Sequence, residues 1–467
     1  MRRRGIGTVD GDTIAAISTP IGSGGIGIVR ISGKDALLVA DRLFHGPAGS
    51  KLSSVPSHSV RYGHIRCPKS GHIVDEVLAV VMRAPRSYTT EDVVEINCHG
   101  GKAPLKKVLE LCMSNGARLA EPGEFTKRAF LNGRLDLSQA EAVLDVIQSE
   151  TEISGKIALE HMSGGFSGEI NRIRDRILDI ISKIELTLDF SAEDVEFPET
   201  SGISGEIKQV KSDIGGMLDT ADKGMILRHG ASVVICGRPN VGKSSLMNAL
   251  LRHDRVIVTP IAGTTRDVVE ESIEIAGVKT RISDTAGIMD TKDRVELEGI
   301  KRSMEKLVSS DMVVFMLDMS RPLDEKDMEI FDRIKEKNMV IAANKCDLPP
   351  ALDTGKAEKA FGRGILRVSV LCRTGLEALE DAIAEALAGP GQDTTGARMV
   401  TNIRHKQSLE SAYSCLERAV GHSGEGYNGE LVSSDLNDVL YHLGMITGET
   451  ADDEVLDRIF SSFCIGK

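Results

Sequence analysis

The sequence predicts a multidomain protein of class α/β plus α, and three observations carry that reading. At 467 residues the chain exceeds one ordinary core and points to about three domains. Its apolar periodicity alternates between mixed strand-and-helix stretches and purely helical ones. In the second mixed stretch a strand-like run ends in a glycine-rich loop that opens a helix.

The elements follow in order. Ile14–Ser18 and Ile26–Ile31 are short β-branched runs, Asp35–Phe44 reads as helix, and Glu76–Met82 and Val93–Asn97 read as strands. Lys102–Asn115 is helical, with Leu105, Val108, Leu109 and Cys112 on one face. From Glu124 to about Arg228 the pattern is helical, including Ser138–Ile147 and the long amphipathic run Ile170–Phe190. Between Ala231 and Leu387 strands and helices alternate, as in a parallel sheet. After the linker-like Gly389–Gly396, helices return, among them Lys406–Ala419 and Ser434–Leu443. The expected domains are 1–118 (α/β), 119–230 (helical, first part), 231–388 (α/β) and 389–467 (helical, second part). The 231–388 domain is then an insertion, which close-lying domain termini permit.

Bulk properties exclude several classes. The chain is 41% hydrophobic and 27% charged, with no tryptophan. No run approaches the roughly 20 apolar residues of a membrane span, and Ile14–Ile17 is too short for a signal core. A cytoplasmic protein is expected. The eight cysteines are scattered without a C-x-x-C pair, against a zinc site or a disulfide framework. A net charge of −12 and a pI near 5.5 mean that any nucleic-acid contact must be local or shared with a partner.

Gly237–Ser244 reads G-x-x-x-x-G-K-S after the strand run Ser232–Cys236 and before a helix Ser245–Leu251. In that context the loop from Asn240 through Val241, Gly242, Lys243, Ser244 and Ser245 cradles phosphates. Lys243 reaches the β/γ oxygens, Ser244 offers its hydroxyl to Mg²⁺, and the helix N-terminus adds its dipole. Asp284, Thr285, Ala286 and Gly287 follow the strand Lys279–Ser283 and supply the metal-side carboxylate. Asn344, Lys345 and Asp347 follow Met339–Ala343, where Asp347 can accept from both guanine N1–H and the 2-amino group. Ser369, Val370 and Leu371 follow Leu366–Val368 and finish the base pocket. These features look like a Ras-like GTPase that takes GTP rather than ATP. The residue after Gly287 is the apolar Ile288, so the usual water-orienting glutamine is absent and no arginine finger, worth about 10³–10⁵ in rate, is evident. Asn240 with Thr259–Thr265 could cage a monovalent cation instead, although Asn240 alone reads equally well as a turn residue.

The P-loop, Ile261–Asp267 (IAGTTRD), Gly24–Ser32, Thr90–Glu95, Pro122–Asn132 and the tail Phe463–Lys467 (FCIGK) together resemble the MnmE (TrmE) family of tRNA-modification GTPases over essentially the whole chain. The resemblance implies an N-terminal folate-binding and dimerisation domain, a helical domain and an inserted G domain. It implies a homodimer, a flavoprotein partner (MnmG, or GidA), tRNA as substrate, and addition of an aminomethyl or carboxymethylaminomethyl-type group to C5 of the wobble uridine. Its cofactors are GTP, Mg²⁺, K⁺ and a tetrahydrofolate derivative (5-formyl or methylene). Carried over by residue, K⁺ falls to Asn240, Thr259, Ile261 and Thr264, and Mg²⁺ to Ser244 and Thr265. Glu296 matches the acid that orients the attacking water through a second molecule. Folate falls to Arg30, Glu95, Arg134 and Lys467; Arg134 stands where a relative has lysine, so that contact keeps its charge with a different geometry. Val370 stands where alanine is usual, in a loop that contributes mainly backbone.

Other features read more simply. Gly22–Gly27 fits G-x-G-x-x-G, but Ile26–Ile31 is a strand where a dinucleotide fingerprint needs a helix. Cys98-His99 has no evident third group and reads as a structural or ligand-lining pair. Asp189, Glu193, Asp194, Glu196 and Glu199 form an acidic, solvated segment. The tail is a poor prenylation box, since Gly466 and Lys467 replace the aliphatic and usual terminal residues. Cys464 is therefore expected to be buried or, by the resemblance, to reach the folate pocket and serve modification rather than GTP hydrolysis. The competing functions are a regulatory GTPase of ribosome assembly and a lipid-anchored scaffold.

Overall fold

The computed structural model describes residues 11–20, 22–189, 200–253, 271–284, 307, 310–389, 396–424 and 427–467. The chain divides into two compact units, Met1–Leu144 with Met162–Arg174 and Asn437–Lys467, and Asp145–His161 with Asp175–Leu436.

The first unit is built on a seven-stranded sheet of order β3-β4-β5-β6-β2-β1-β7. Its strands are β1 (Ile14–Ile17), β2 (Ile26–Ser32), β3 (Phe44–His45), β4 (Ser59–Arg66), β5 (Ile73–Met82), β6 (Val93–His99) and β7 (Arg118–Leu119). All neighbours pair antiparallel except β1 with β7. Helices α1 (Ala36–Leu43) and α2 (Lys102–Ser114) bury their apolar stripes in the core that holds Val29, Ile31, Val77, Ala79 and Ile96. On α2 the buried set is Leu105, Val108, Leu111 and Cys112, with Leu109 only partly covered. Because strand side chains alternate, Arg30 and Glu95 alternate with the buried Val29, Ile31, Val94 and Ile96 of β2 and β6. The same unit holds α3 (Glu124–Leu131) and the start of α4 (Leu137–Gln148).

In the second unit, α5 (Glu152–Met162, up to His161), the part of the long α6 (Gly165–Asp189) from Asp175 onward, α7 (Thr200–Leu218) and α8 (Ala221–His229) accompany a six-stranded sheet of order β13-β12-β11-β8-β10-β9. That sheet and its helices comprise β8 (Ala231–Gly237), α9 (Lys243–His253), β9 (Glu271–Ile275), β10 (Val278–Asp284), β11 (Met312–Asp318), α10 (Glu325–Ile334), β12 (Met339–Asn344), α11 (Thr354–Phe361), β13 (Ile365–Arg367) and α12 (Leu376–Ala388). Both faces are covered. Val233 and Ile235 of β8 enter one core while Val234 and Cys236 enter the other, the continuous apolar run expected of a doubly buried strand.

The parallel pattern expected from the sequence fails at one edge, where β9 runs antiparallel to β10. Only Ala276 (φ 45°) and Gly277 (φ 82°) separate them. Two residues with positive φ form a tight hairpin, whereas a parallel pair needs a crossover of a dozen or more residues. The remaining helices are α13 (Ile403–His422), which packs along α7, α14 (Gly429–Thr447) and α15 (Asp453–Ser461). The first unit includes α15, whose Leu456 and Phe460 meet Phe130, Leu137 and Phe463 in one cluster.

Candidate functional site

In an open parallel sheet, ligands bind outside the carboxyl ends of the strands. Here those ends carry the chemistry: β8 runs into the phosphate loop, β10 ends on Asp284, β11 on Asp318 and β12 on Asn344, while Ser369 follows β13. The end of β8 and the loop after it hold three residues of positive φ, Gly237 (145°), Asn240 (64°) and Gly242 (103°). A Cβ on Gly242 would lie 2.3 Å from Asn344 Nδ2, so only glycine lets the base-recognition strand approach the loop this closely. Lys243 is buried and its Nζ donates to the carbonyls of Gly237 (3.0 Å) and Arg238 (2.9 Å), across the mouth of the loop. Ser244 and Ser245 are exposed on the first turn of α9. An electropositive helix N-terminus under a ring of such backbone is a cradle for phosphates.

The base side is held by side chains rather than by strand pairing alone. Asn344 donates to the carbonyl of Val241 (2.8 Å) and accepts from Val370 N (3.1 Å), joining the phosphate loop to the base loop. Ser369 Oγ donates to Asp347 Oδ1 (2.6 Å) and accepts from Cys372 N (3.1 Å), which aims the carboxylate. The base loop closes on itself through reciprocal backbone bonds between Ser369 and Thr374 and leaves Leu371 86% exposed at its tip. Asp318, absent from the sequence reading, receives Lys345 Nζ at 2.6 Å.

A second cluster lies in the first unit. Arg30 donates to Glu95 (2.8 Å) and to the Gly466 carbonyl (3.4 Å), and its guanidinium sits 5.6 Å from the Tyr88 ring and 5.5 Å from that of Phe125. Arg134 stands 4.8 Å from the same Tyr88 ring and donates to the Tyr88 carbonyl (2.7 Å). Burial pushes the Tyr88 phenol up, so it stays protonated against Thr126 Oγ1 (2.9 Å). The Phe463–Lys467 segment enters through a bridge between Pro122 and Ile465 and two backbone bonds, Gly123 N to Cys464 O (3.4 Å) and Phe125 N to Lys467 O (3.1 Å). Cys464 is exposed there. Ser18 Oγ is buried with no hydrogen-bond partner among the described residues. Cations on an aromatic face and a carboxylate make a donor and acceptor set that fits a flat, polar heterocycle with anionic groups.

A family model described as the MnmE helical domain matches residues 137–464, and one described as the GTP-binding protein TrmE N-terminus matches residues 13–134. The tRNA modification GTPase MnmE of Geobacillus thermodenitrificans is 47% identical over 458 residues, which cover 98% of this chain and 99% of that one. The chain belongs to the MnmE family. MnmE of Geobacillus kaustophilus is 46% identical over 98% of this chain and 99% of its own, and that of Alkaliphilus oremlandii 44% over the same shares.

Within this MnmE framework the tertiary structure brings Asn240, Val241, Gly242, Lys243, Asn344, Lys345, Asp347, Ser369 and Val370 to one sheet edge. In the other unit it brings Arg30 and Arg134 to the Tyr88 ring, pairs Glu95 with Arg30 and ties the Lys467 backbone to Phe125. Thr259, Ile261, Thr264, Thr265, Thr285, Ala286, Gly287, Ile288 and Glu296 lie outside the described residues, as do Glu193 to Glu199 of the acidic segment; Asp284 is described by its backbone in register with Ile235. Gly22–Gly27 leads into β2, with Gly24 N donating to Gly100 O (3.2 Å), a turn between strands. Cys98 is buried and its thiol is pushed up to about 12 by desolvation. His99, next in the strand, is exposed and paired with Asp75 (2.6 Å). The two side chains therefore face opposite ways. Tyr88, Thr126 and Asp318 were not singled out in the sequence; only their positions beside motif residues in space mark them. No helix among the described residues is long and apolar enough to cross a membrane.

Proposed function

We propose that this chain binds and hydrolyses GTP at the β8–β13 edge. With a flavoprotein partner of the MnmG (GidA) type it adds an aminomethyl or carboxymethylaminomethyl-type group to C5 of the tRNA wobble uridine. The observation that carries the reading is the Asp347 carboxylate, held by Ser369 Oγ at 2.6 Å beside a phosphate loop tied to the same strand through Asn344. Asp347 discriminates guanine because guanine alone among the common purines offers two adjacent donors. Lys243 stabilises negative charge on the β/γ oxygens. Ser244 with Thr265 would hold Mg²⁺, and Asn240, Thr259, Ile261 and Thr264 would hold K⁺; the cations supply neutralisation of charge as the γ-phosphate leaves. Glu296 orients the attacking water.

Arg30, Glu95, Arg134 and Lys467 would hold a tetrahydrofolate derivative, which supplies the one-carbon unit, with Cys464 at the same cleft. The domain limits 1–118, 119–230, 231–388 and 389–467 belong to this reading. So does a homodimer through the N-terminal domains, supported by the exposed apolar Val60 (53%), Tyr62 (48%) and Leu78 (46%) on paired strands of the first sheet.

Deleting the gene should remove the C5 modification from wobble uridines of bulk tRNA, measured by nucleoside mass spectrometry; unchanged modification rejects the proposal. Nucleotide-dependent co-sedimentation with ribosomal subunits, with modification intact, would favour a ribosome-assembly switch. GTP turnover should be much faster in K⁺ than in Na⁺, and equal rates would remove the K⁺ site. Glu296→Ala should impair turnover while sparing GTP binding.

A further inference from the structure

Each polar side chain of the Asn344–Asp347 loop is anchored, and the anchors differ in kind. Asn344 is tied to Val241 and Val370, and Asp347 to Ser369, all within the nucleotide motifs themselves. Lys345 is tied instead to Asp318, which belongs to none of them. Asp318 ends β11, in parallel register with Asn344. Its side chain is only 5% exposed. Oδ2 receives Lys345 Nζ at 2.6 Å, and Oδ1 receives Ser320 N at 2.9 Å and Ser320 Oγ at 2.6 Å. Burial pushes this carboxyl up, but the hydrogen bonds from Lys345 and Ser320 outweigh it and hold the group below the usual carboxylate range. Asp318 is thus a fixed anion. Lys345 itself has φ 66°, a left-handed backbone that non-glycine residues seldom adopt, and its carbonyl accepts from Leu348 N at 3.0 Å. Both ends of the residue are held.

We propose that Asp318 is a positioning residue for the guanine nucleotide, acting through Lys345. By holding the ammonium, it pre-sets the lysine's methylene stem as an apolar wall for the purine plane. The inference rests on the GTP-site reading above. Lysine is a flexible four-carbon chain with a point charge at its end, and its stem can cover apolar surface while the head stays in a polar contact. An unpinned lysine would lose its rotamer freedom when the base arrives, weakening binding; a pinned one loses it on folding.

The test is a double-mutant cycle in the full-length chain, with fluorescent GDP and GTP analogues as probes. Asp318→Asn keeps the shape and one acceptor, and Asp318→Ala serves as a second variant; thermal melts establish that each folds. Immobilising one such side chain on binding corresponds to a loss of about two- to tenfold in affinity. Asp318→Asn should therefore raise Kd for both nucleotides, and KM for GTP, by that factor, with kcat at saturating GTP little changed. Lys345→Ala should weaken binding further, and adding either Asp318 change to it should cost nothing more. Wild-type affinity in both Asp318 variants, or losses that add in the double variant, would overturn the proposal. Asp347→Asn separates the two readings: failure to exchange GDP for XDP preference counts against the guanine site itself, whereas a normal exchange with an additive cycle counts against Asp318 alone.

Discussion

The backbone N–H of Phe125 donates to the carbonyl of Lys467 at 3.1 Å, so the segment after Phe463 is stitched to the first turn of α3. Gly466 makes the stitch possible. Its φ is 96°, and a Cβ there would come within 2.2 Å of the Ile17 carbonyl in β1. Arg30 reaches the Gly466 carbonyl from the neighbouring strand, which sets the segment against the Tyr88 cluster.

Gly466→Ala should therefore displace the segment. A forced left-handed backbone costs about 1–3 kcal/mol, and the clash adds to it. The urea midpoint should fall and proteolysis after Phe463 should accelerate. An unchanged midpoint would show that the segment bends away at no cost.

Asn344→Ala removes a side chain only 4% exposed that bridges two loops. The carbonyl of Val241 and the N–H of Val370 lose their partner, each at roughly 1–3 kcal/mol. GDP affinity, measured by calorimetric titration, should drop by at least about tenfold. Wild-type affinity would mean that neither bond matters to the bound state.

Arg128 is 2% exposed and joins three carboxylates, donating to Asp12 (2.6 Å), Glu124 (2.8 Å) and Glu91 (3.1 Å). Arg118 shares Asp12 and Glu124 from the other side. Arg128→Met leaves buried negative charge with half its compensation, and breaking such a network costs about 3–5 kcal/mol. Chemical denaturation should show a loss of that size, whereas a loss below about 1 kcal/mol would class the network with surface pairs.

His161 is 4% exposed, its Nε2 donates to the Gly396 carbonyl at 2.9 Å, and burial lowers its pKa to about 4. The folded ring stays neutral below the unfolded value of about 6.5, so the unfolded chain binds the extra proton. Stability contributed by the neutral ring is complete above about 6.5 and falls as pH drops toward 4, by about 3 kcal/mol at most. His161→Gln should flatten the denaturation-midpoint profile between pH 4 and 6.5. A profile as steep as the parent's would assign the acid sensitivity elsewhere.

Much of the fold was legible because its signals are local. The doubly buried run Ser232–Cys236, the amphipathic α6 and the helix α13 stand where periodicity puts them. The strand β4 escaped, and the limits of two helices inside the stretches read as helical were not legible. In β4, Val60 and Tyr62 point to solvent while Ile65 is buried, so apolar residues on both faces blur the alternation. The acidic stretch around Asp452 is the capped start of α15, where Asp452 accepts from Val455 N. Helix α5 has a weak apolar stripe, with only Ala158 and His161 buried. The antiparallel β9 depends on the turn at Ala276-Gly277, a signal of two residues inside a pattern read as parallel.

The sequence by itself determined the phosphate loop, the Asn344–Asp347 loop and the family, because such chemistry needs particular residue types at fixed short spacing and spacing survives in one dimension. Only the tertiary structure decided that Asp318 meets Lys345, that Arg30 and Arg134 share the Tyr88 ring, and that Arg30 touches Gly466 across 436 positions of chain. Those contacts are set by strand register and packing between distant segments, and no local periodicity encodes which distant side chain will stand opposite.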